Sequence, residues 1–160
     1  MSIFEKWDLE SNILDAIKSR GWVEPTEIQL DSIPLARKGR DIVGQAKTGS
    51  GKTAAFGIPI LERCQKKGFP QSIILCPTRE LAVQVTEELE LLQGKKGLKI
   101  IPVYGGTDIE KQAKVLSNGC DIVVGTPGRV IDMAKKGHLK LEKISIFCLD
   151  EADRMLDMGF

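Results

Sequence analysis

Ala46-Lys47-Thr48-Gly49-Ser50-Gly51-Lys52-Thr53 is the stretch on which the reading of this chain turns. It has the form Ala/Gly, four residues, Gly-Lys-Ser/Thr, which suits a loop that cradles phosphates, although such strings also arise by chance. Context strengthens it. Asp41-Ile42-Val43-Gly44 reads as a short apolar strand, and Thr53-Ala54-Ala55-Phe56 opens a segment of helical composition, giving the strand, turn and helix that the loop requires. Gly49 and Gly51 permit backbone angles that let successive N–H groups point at phosphate oxygens. The helix N-terminus supplies partial positive charge, Lys52 a full one, and the Thr53 hydroxyl a ligand for magnesium. The competing reading is a glycine-rich turn with a solvated lysine.

Far downstream stands Asp150-Glu151-Ala152-Asp153, directly after the almost wholly apolar run Ile144-Ser145-Ile146-Phe147-Cys148-Leu149. Such a run suits a central parallel strand buried on both faces. Acidic residues at its end would lie at the carboxyl edge of an open α/β sheet, where ligands bind. There Asp150 would hold magnesium, directly or through water, and Glu151 would position and polarise an attacking water. Alone, the same residues read as an acidic helix N-terminus favoured by the macrodipole.

Between these landmarks strands alternate with helices. Ser72 to Cys76, Lys99 to Tyr104, Asp121 to Val124 and Ser145 to Leu149 read as strands. Leu81, Val85, Leu89 and Leu92 recur at helical spacing, as do Leu9, Ile13, Leu14 and Ile17. Gly21 is placed to stop the earlier helix and Pro25 to begin the next segment. Pro59 predicts a kink or early end in the helix after the phosphate loop. Repeated strand–helix units predict an α/β fold with a mostly parallel sheet and helices on both faces.

Composition sets limits. A chain of 160 residues, 42% hydrophobic and 28% charged, is one soluble globular unit with room for a core. A net charge of +1 argues against a broad electrostatic grip on nucleic acid, so any such contact is local. No signal peptide and no bilayer-length apolar run is present. Cys64, Cys76, Cys120 and Cys148 show no CxxC spacing; Cys76 and Cys148 end strand-like runs and read as core residues, which suits a reducing cytoplasm. His138 reads as a solvated residue of a Lys/Gly-rich loop.

Further strings complete a set. Gly21-Trp22-Val23-Glu24-Pro25-Thr26-Glu27-Ile28-Gln29, with Phe4 upstream, precedes the phosphate loop; Pro77-Thr78-Arg79-Glu80-Leu81, Gly105-Gly106 and Thr126-Pro127-Gly128-Arg129 follow it in order. Over essentially its whole length the chain resembles the N-terminal RecA-like domain of DEAD-box ATP-dependent RNA helicases. The strings correspond to the Q motif, motif I (the phosphate loop), motif Ia, the GG element, motif Ib and, at Asp150 to Asp153, motif II. Trp22 stands where the family usually has Phe or Tyr, and Lys47 fills a variable position.

The resemblance implies a RecA-like P-loop NTPase fold, with a Q-motif region over 1–30 and a partial helicase ATP-binding domain over 31–160, together one structural domain. It implies ATP and Mg2+ as cofactors: Phe4, Trp22, Thr26 and Gln29 with Ala46 to Thr53 would bind the nucleotide, and Thr53 and Asp150 the metal. Lys52, Asp150 and Glu151 would carry the chemistry, and Asp153 would couple motifs or domains. Gln29 bears both an amide donor and an acceptor, as adenine's N6/N7 edge demands, and Trp22 could stack on the base or simply be a half-buried aromatic. No Asn-Lys-x-Asp guanine-reading string occurs.

RNA would be held by Pro77, Thr78, Arg79, Gly105, Gly106, Thr126, Pro127, Gly128 and Arg129, all through its backbone, with little sequence selectivity and strong salt dependence. On local sequence alone these are equally well turn residues with solvated arginines. The family continues with a Ser-Ala-Thr strand and a second RecA-like domain, so the fold is expected to be incomplete at the C-terminus. A sheet lacking that strand is expected to be destabilised, to open, or to borrow a strand from a neighbour. The alternative to a helicase half is an ATP- or RNA-binding fragment without turnover; a DNA helicase or other P-loop ATPase is a third reading.

Overall fold

The computed structural model describes residues 1–47 and 49–159; Thr48 and Phe160 lie outside the described residues. Residue contacts group the chain as two compact units, one of Met1–Arg63 with Glu88–Gly97 and one of Cys64–Glu87 with the chain from Leu98 onward.

The second unit holds the sheet: β1 Ser72–Leu75, β2 Ile100–Val103, β3 Ile122–Gly125 and β4 Ile146–Leu149, all parallel in the order β2-β3-β1-β4. β1 and β3 are buried at every position, as inner parallel strands are when both faces are covered. One face carries Ile73, Leu75, Val103 and Val123, packed with Ala113 and Leu116 of helix α6 (Ile109–Ser117), Val130 and Met133 of α7 (Pro127–Lys135), and Met155 of α8 (Ala152–Asp157). Helix α5, Arg79–Leu92, crosses from β1 to β2.

Two expectations are revised here. β4 lies at the sheet's edge instead of its centre, and Phe147 and Leu149 are exposed at 59% and 45%. An apolar run cannot distinguish a strand with two neighbours from one with a single neighbour. Asp41 to Gly44 form no strand; the segment is irregular and exposed, with no ladder partner among the described strands. Extended backbone becomes a strand only where a neighbour receives its N–H and C=O groups.

At the amino end of the strands a buried carboxylate ties the loops together. Asp121, 1% exposed, accepts from the amides of Lys67 (3.1 Å) and Gly68 (2.8 Å) through Oδ1, and from the amide of Lys99 (2.9 Å) through Oδ2. Gln71 Nε2 adds a bond of 3.3 Å. Several N–H donors are what make a buried carboxylate tolerable.

The first unit contains the short helix α1 (Ile3–Lys6), α2 (Ser11–Ser19), α3 (Glu27–Arg37) and α4 (Lys52–Arg63). α2 buries Ile13, Ala16 and Ile17, and Gly21 at φ +73° turns the chain out of it as expected. α3 packs on α4, where Arg37 meets Glu62 at 2.8 Å. Lys96 Nζ closes the end of α4 by donating to the Leu61 carbonyl at 2.6 Å and pairing with Glu10 at 2.9 Å. Of the kink or early end expected at Pro59, the early end does not occur: α4 runs through it to Arg63. Proline removes one intrahelical bond, but Ile58, Pro59, Ile60 and Leu61 are all buried, and that packing holds the helix. Among the described residues no helix is long and apolar enough to cross a membrane, and no disulfide forms.

Two predictions follow from Asp121 and its neighbour. Asp121→Ala removes the acceptor shared by the Lys67, Gly68 and Lys99 amides and should lower unfolding stability by about 2–4 kcal/mol, read as a shift in the urea midpoint at constant slope. Burial, reinforced by the Asp121 charge, pushes the Cys120 thiol from its ordinary 9.0 up to about 12. Above pH 9 the unfolded chain therefore loses a proton that the folded chain keeps, so stability falls as pH rises from 9 towards 12. Cys120→Ala should flatten that decline relative to the parent chain; an unchanged pH profile would refute it.

Candidate nucleotide and nucleic-acid site

Four parallel strands in step deliver four loops to one edge of the sheet. Leu75, Val103, Gly125 and Leu149 lie at the same register level. Beyond them come Pro77–Arg79, Gly105–Gly106, Thr126–Arg129 and Asp150–Glu151. The structure thus brings the predicted motif Ia, GG, Ib and II residues to the carboxyl edge, where open α/β sheets bind their ligands.

Each loop has a local cause. Thr78 Oγ1 accepts from the Leu81 amide at 3.2 Å and caps the start of α5. β3 ends on Gly125, where a Cβ would lie 2.5 Å from both the Val103 carbonyl oxygen and Val130 Cγ2. The Thr126 amide donates to Val103 O at 3.0 Å, and Pro127 opens α7 at the position where its missing N–H costs nothing. Gly106 has φ +82°, outside the range comfortable for a side chain.

Both arginines of these loops are held by neighbouring groups. The Arg79 guanidinium lies 4.6 Å from the centre of the Tyr104 ring, a cation–π contact. Arg129 donates from Nη1 to Gln112 Oε1 at 2.9 Å and from Nη2 to the Thr107 carbonyl at 3.0 Å. Gln112 Nε2 in turn donates to Tyr104 O at 3.0 Å and to Thr107 Oγ1 at 2.8 Å. A shallow groove of about 460 Å³ runs past Gly105, Thr126, Gly128 and Arg129, with Asp132 and Lys135 further along. Tyr104 and Gln112 went unnoticed in the sequence, because neither falls within a motif string.

At motif II, Asp150 is 3% exposed and its amide donates to Leu75 O at 2.9 Å. Glu151 takes the left-handed conformation, φ +56° and ψ +53°, at the head of α8. That geometry costs a residue with a side chain about 1 kcal/mol or more, and such strain gathers at functional positions. Its carboxylate lies 3.5 Å from Arg154, and Asp153 is exposed. No cluster of three or more His, Cys, Asp or Glu is found among the described residues.

The phosphate-loop residues belong to the first unit. Ser50 N donates to Lys47 O at 3.1 Å, forming a tight turn. Gly49 and Gly51 stand at φ +83° and +84°, and α4 starts at Lys52, so Lys52 and Thr53 occupy its first turn. Thr48 lies outside the described residues. Ala46 and Ser50 are half-buried, Lys47 exposed.

The Q-motif residues meet the phosphate loop in one buried contact. Gln29, 2% exposed, accepts from the Thr26 amide at 3.0 Å and donates to Gly51 O at 3.1 Å. Its side chain thus completes the capping box of α3 while bracing the loop. Trp22 is half-buried, with the Arg20 guanidinium 4.5 Å from its ring centre and Arg20 paired to Glu88 at 2.8 Å. Phe4 is buried with its ring edge-on to Trp7, centroids 5.8 Å apart.

Of the two loop glycines, Gly51 is the less replaceable. A Cβ there would run into Gln29 Nε2 and stand 2.9 Å from Thr26 Oγ1, besides straining the positive φ. Gly51→Ala should therefore break the Gln29 bond and lower thermal stability, whereas Gly49→Ala meets no atom within 4 Å and should cost only about 1 kcal/mol of backbone strain. Paired melts of the two variants check the ranking.

Known proteins agree with this arrangement. Residues 26–160 match the family described as DEAD/DEAH box helicase. The DEAD-box ATP-dependent RNA helicase CshA of Streptococcus pneumoniae is 51% identical over 158 residues, spanning 98% of this chain but 30% of the relative. The crystal structure of a DEAD box protein from the hyperthermophile Methanococcus jannaschii superposes with a TM-score of 0.90 at 51% identity, covering 94% of this chain and 42% of that one. A hypothetical ATP-dependent RNA helicase from Sulfolobus tokodaii gives 0.86 at 42% identity, over 95% and 44% of the two chains. With the motif-bearing loops set along a parallel α/β sheet and the family match running through the Q-motif glutamine, the phosphate loop and the acidic tetrad, the chain belongs to the DEAD/DEAH box helicases.

Proposed function

We propose that this chain is the ATP- and RNA-binding N-terminal part of a DEAD-box RNA helicase, which in a longer protein couples ATP hydrolysis to RNA duplex unwinding. The observation that carries the reading is the gathering of Arg79, Gly106, Arg129 and Glu151 at one sheet edge, behind strands that run in step.

ATP would lie against the first turn of α4, where N–H groups and Lys52 favour phosphate charge. Positive φ at both Gly49 and Gly51 supports a loop whose amides turn inward. Ala46, Lys47, Thr48 and Ser50 would contribute further loop contacts, and Trp22 would offer its ring to the base. Gln29 would read adenine with the capacity its two present bonds leave over, since a carboxamide has a second N–H and a second lone pair. The Thr53 hydroxyl and the Asp150 carboxylate are hard oxygen donors of the kind Mg2+ takes alongside phosphates and water. The ion would neutralise charge on the transferred phosphoryl group. Glu151, fixed in direction by its left-handed backbone, would orient the attacking water and accept its proton, and Asp153 would couple this motif to others.

Pro77, Thr78, Gly105, Thr126, Pro127 and Gly128 would shape the path of the RNA backbone between the two arginines. Cytoplasmic residence is part of the same reading. A second RecA-like domain would supply arginines to the triphosphate, a contribution worth about 10³–10⁵ in rate at related sites, so turnover by this chain alone would be very slow. A binding role without turnover is the second reading, and the 30% span of CshA keeps it in play.

ATP hydrolysis measured with and without single-stranded RNA separates them. We expect slow, RNA-stimulated hydrolysis that Glu151→Gln reduces to background, about 100-fold or more. ATP bound but never hydrolysed supports the second reading, and equal stimulation by DNA would overturn the assignment to RNA.

A further inference from the structure

Gln112 lies outside every motif, yet it stands at the centre of the groove's hydrogen bonding. It sits on α6, one element removed from the loops that carry the predicted contacts. Its carboxamide is used at both ends: the oxygen takes Arg129 Nη1 at 2.9 Å, and the nitrogen reaches Tyr104 O at 3.0 Å and Thr107 Oγ1 at 2.8 Å. The loop that follows β2 and the arginine that follows β3 are thereby fixed to one another through a single half-buried side chain.

We infer that Gln112 is a positioning residue for nucleic-acid binding, one that holds Arg129 and the 104–107 loop in their bound arrangement before RNA arrives. The inference rests on the RNA-binding reading above and assigns this residue a part in it. A free arginine side chain samples many rotamers, and part of that freedom is lost whenever it must be immobilised by the ligand. Here it is already anchored through one N–H of each Nη group. A guanidinium has five N–H donors, so donors remain for a fork to phosphate oxygens. Gln112 suits the task because an amide both accepts and donates. A carboxylate would hold Arg129 but could not donate to Tyr104 O, and an ammonium would repel the guanidinium.

The groove's charge makes position matter more. Asp132 lies along it with Lys135, and the whole chain carries only +1. An arginine left to wander has Asp132 as an alternative partner. Held by Gln112 and Thr107 O, it stays beside Gly128 and the 105–106 turn.

The test is a double-mutant cycle on binding of a fluorescein-labelled oligouridylate, with Gln112→Ala, Arg129→Ala and the pair. Alanine is the best helix former, so α6 should keep its shape. Gln112→Ala should weaken binding about tenfold, the loss of one charge-assisted bond, and reduce the salt slope by about one contact, as Arg129→Ala does. The double variant should bind no worse than Arg129→Ala alone, while ATP affinity is unmoved in all three. Unchanged affinity in Gln112→Ala, or losses that simply add, would overturn the inference with RNA binding itself intact. If the parent chain fails to bind the oligouridylate, the RNA reading falls first and this assignment with it. Should Gln112→Ala melt early, the Arg129 Nε–H resonance of the parent chain decides: dispersed without RNA supports an anchored side chain, averaged to the solvent position refutes it.

Discussion

Everything functional in the second unit depends on the parallel, in-step alignment of β2, β3, β1 and β4. Parallel strands put all their carboxyl ends on one side, and equal register puts them at one level. Leu75, Val103, Gly125 and Leu149 are the four points from which the loops depart. A slip of one residue in β3 would turn Val123 away from the core face and move Arg129 with it. Gly125 guards against such a slip, since no side chain fits between Val103 O and Val130. At the opposite end Asp121 gathers the amides of Lys67, Gly68 and Lys99, so the strands are pinned at both edges.

Much of this was legible in the sequence. The runs around Ser72, Lys99, Asp121 and Ser145 all became strands within a residue or two, because short apolar runs between turn signals suit parallel strands whether they lie inside the sheet, as β1 and β3 do, or at its edges. The motif strings marked the loops for the same chemical reason that makes them useful: glycines at positive φ, prolines at helix starts, and arginines just beyond strands. Asp41 to Gly44 read as a strand equally well and is not one. Its apolar residues state a preference for burial, while pairing depends on a neighbour that a local window cannot see. The same limit misplaced β4, whose composition suits a centre strand and whose Phe147 and Leu149 are exposed. Pro59 does not end α4, since a local rule about a lost hydrogen bond is outweighed by four consecutive buried side chains. Gln112 was invisible because its role comes from α6 lying beside two loops, a tertiary fact.

On the reading proposed, the side chain of Gln29 would serve fold and site together. Its amide is read most simply as a structural group, closing the capping box at Thr26 and bracing Gly51. That use does not compete with a role toward nucleotide. It makes the phosphate loop's shape and the start of α3 a single mechanical element, so that a ligand felt by either is felt by the other. Within the same unit the Arg20–Glu88 pair backs the half-buried Trp22 ring, again fixing a candidate site residue from behind.

Anchoring from behind is the common theme, and low net charge gives it a physical reason. A strongly basic domain can gather a polyanion by field alone and tolerate mobile side chains. A chain near neutrality must rely on a few donors in the right places, where each immobilised rotamer already in position saves the binding step an entropy cost of about 0.5–1.5 kcal/mol. Arg79 on Tyr104, Arg129 on Gln112 and Thr107, and Glu151 in its left-handed turn are each constrained by neighbours that do not themselves reach the ligand on the reading proposed. Affinity built in this way is modest and salt-sensitive but selective for the geometry of a backbone over the identity of its bases. On the RNA-binding reading proposed, that behaviour would let the chain hold many sequences and release each of them.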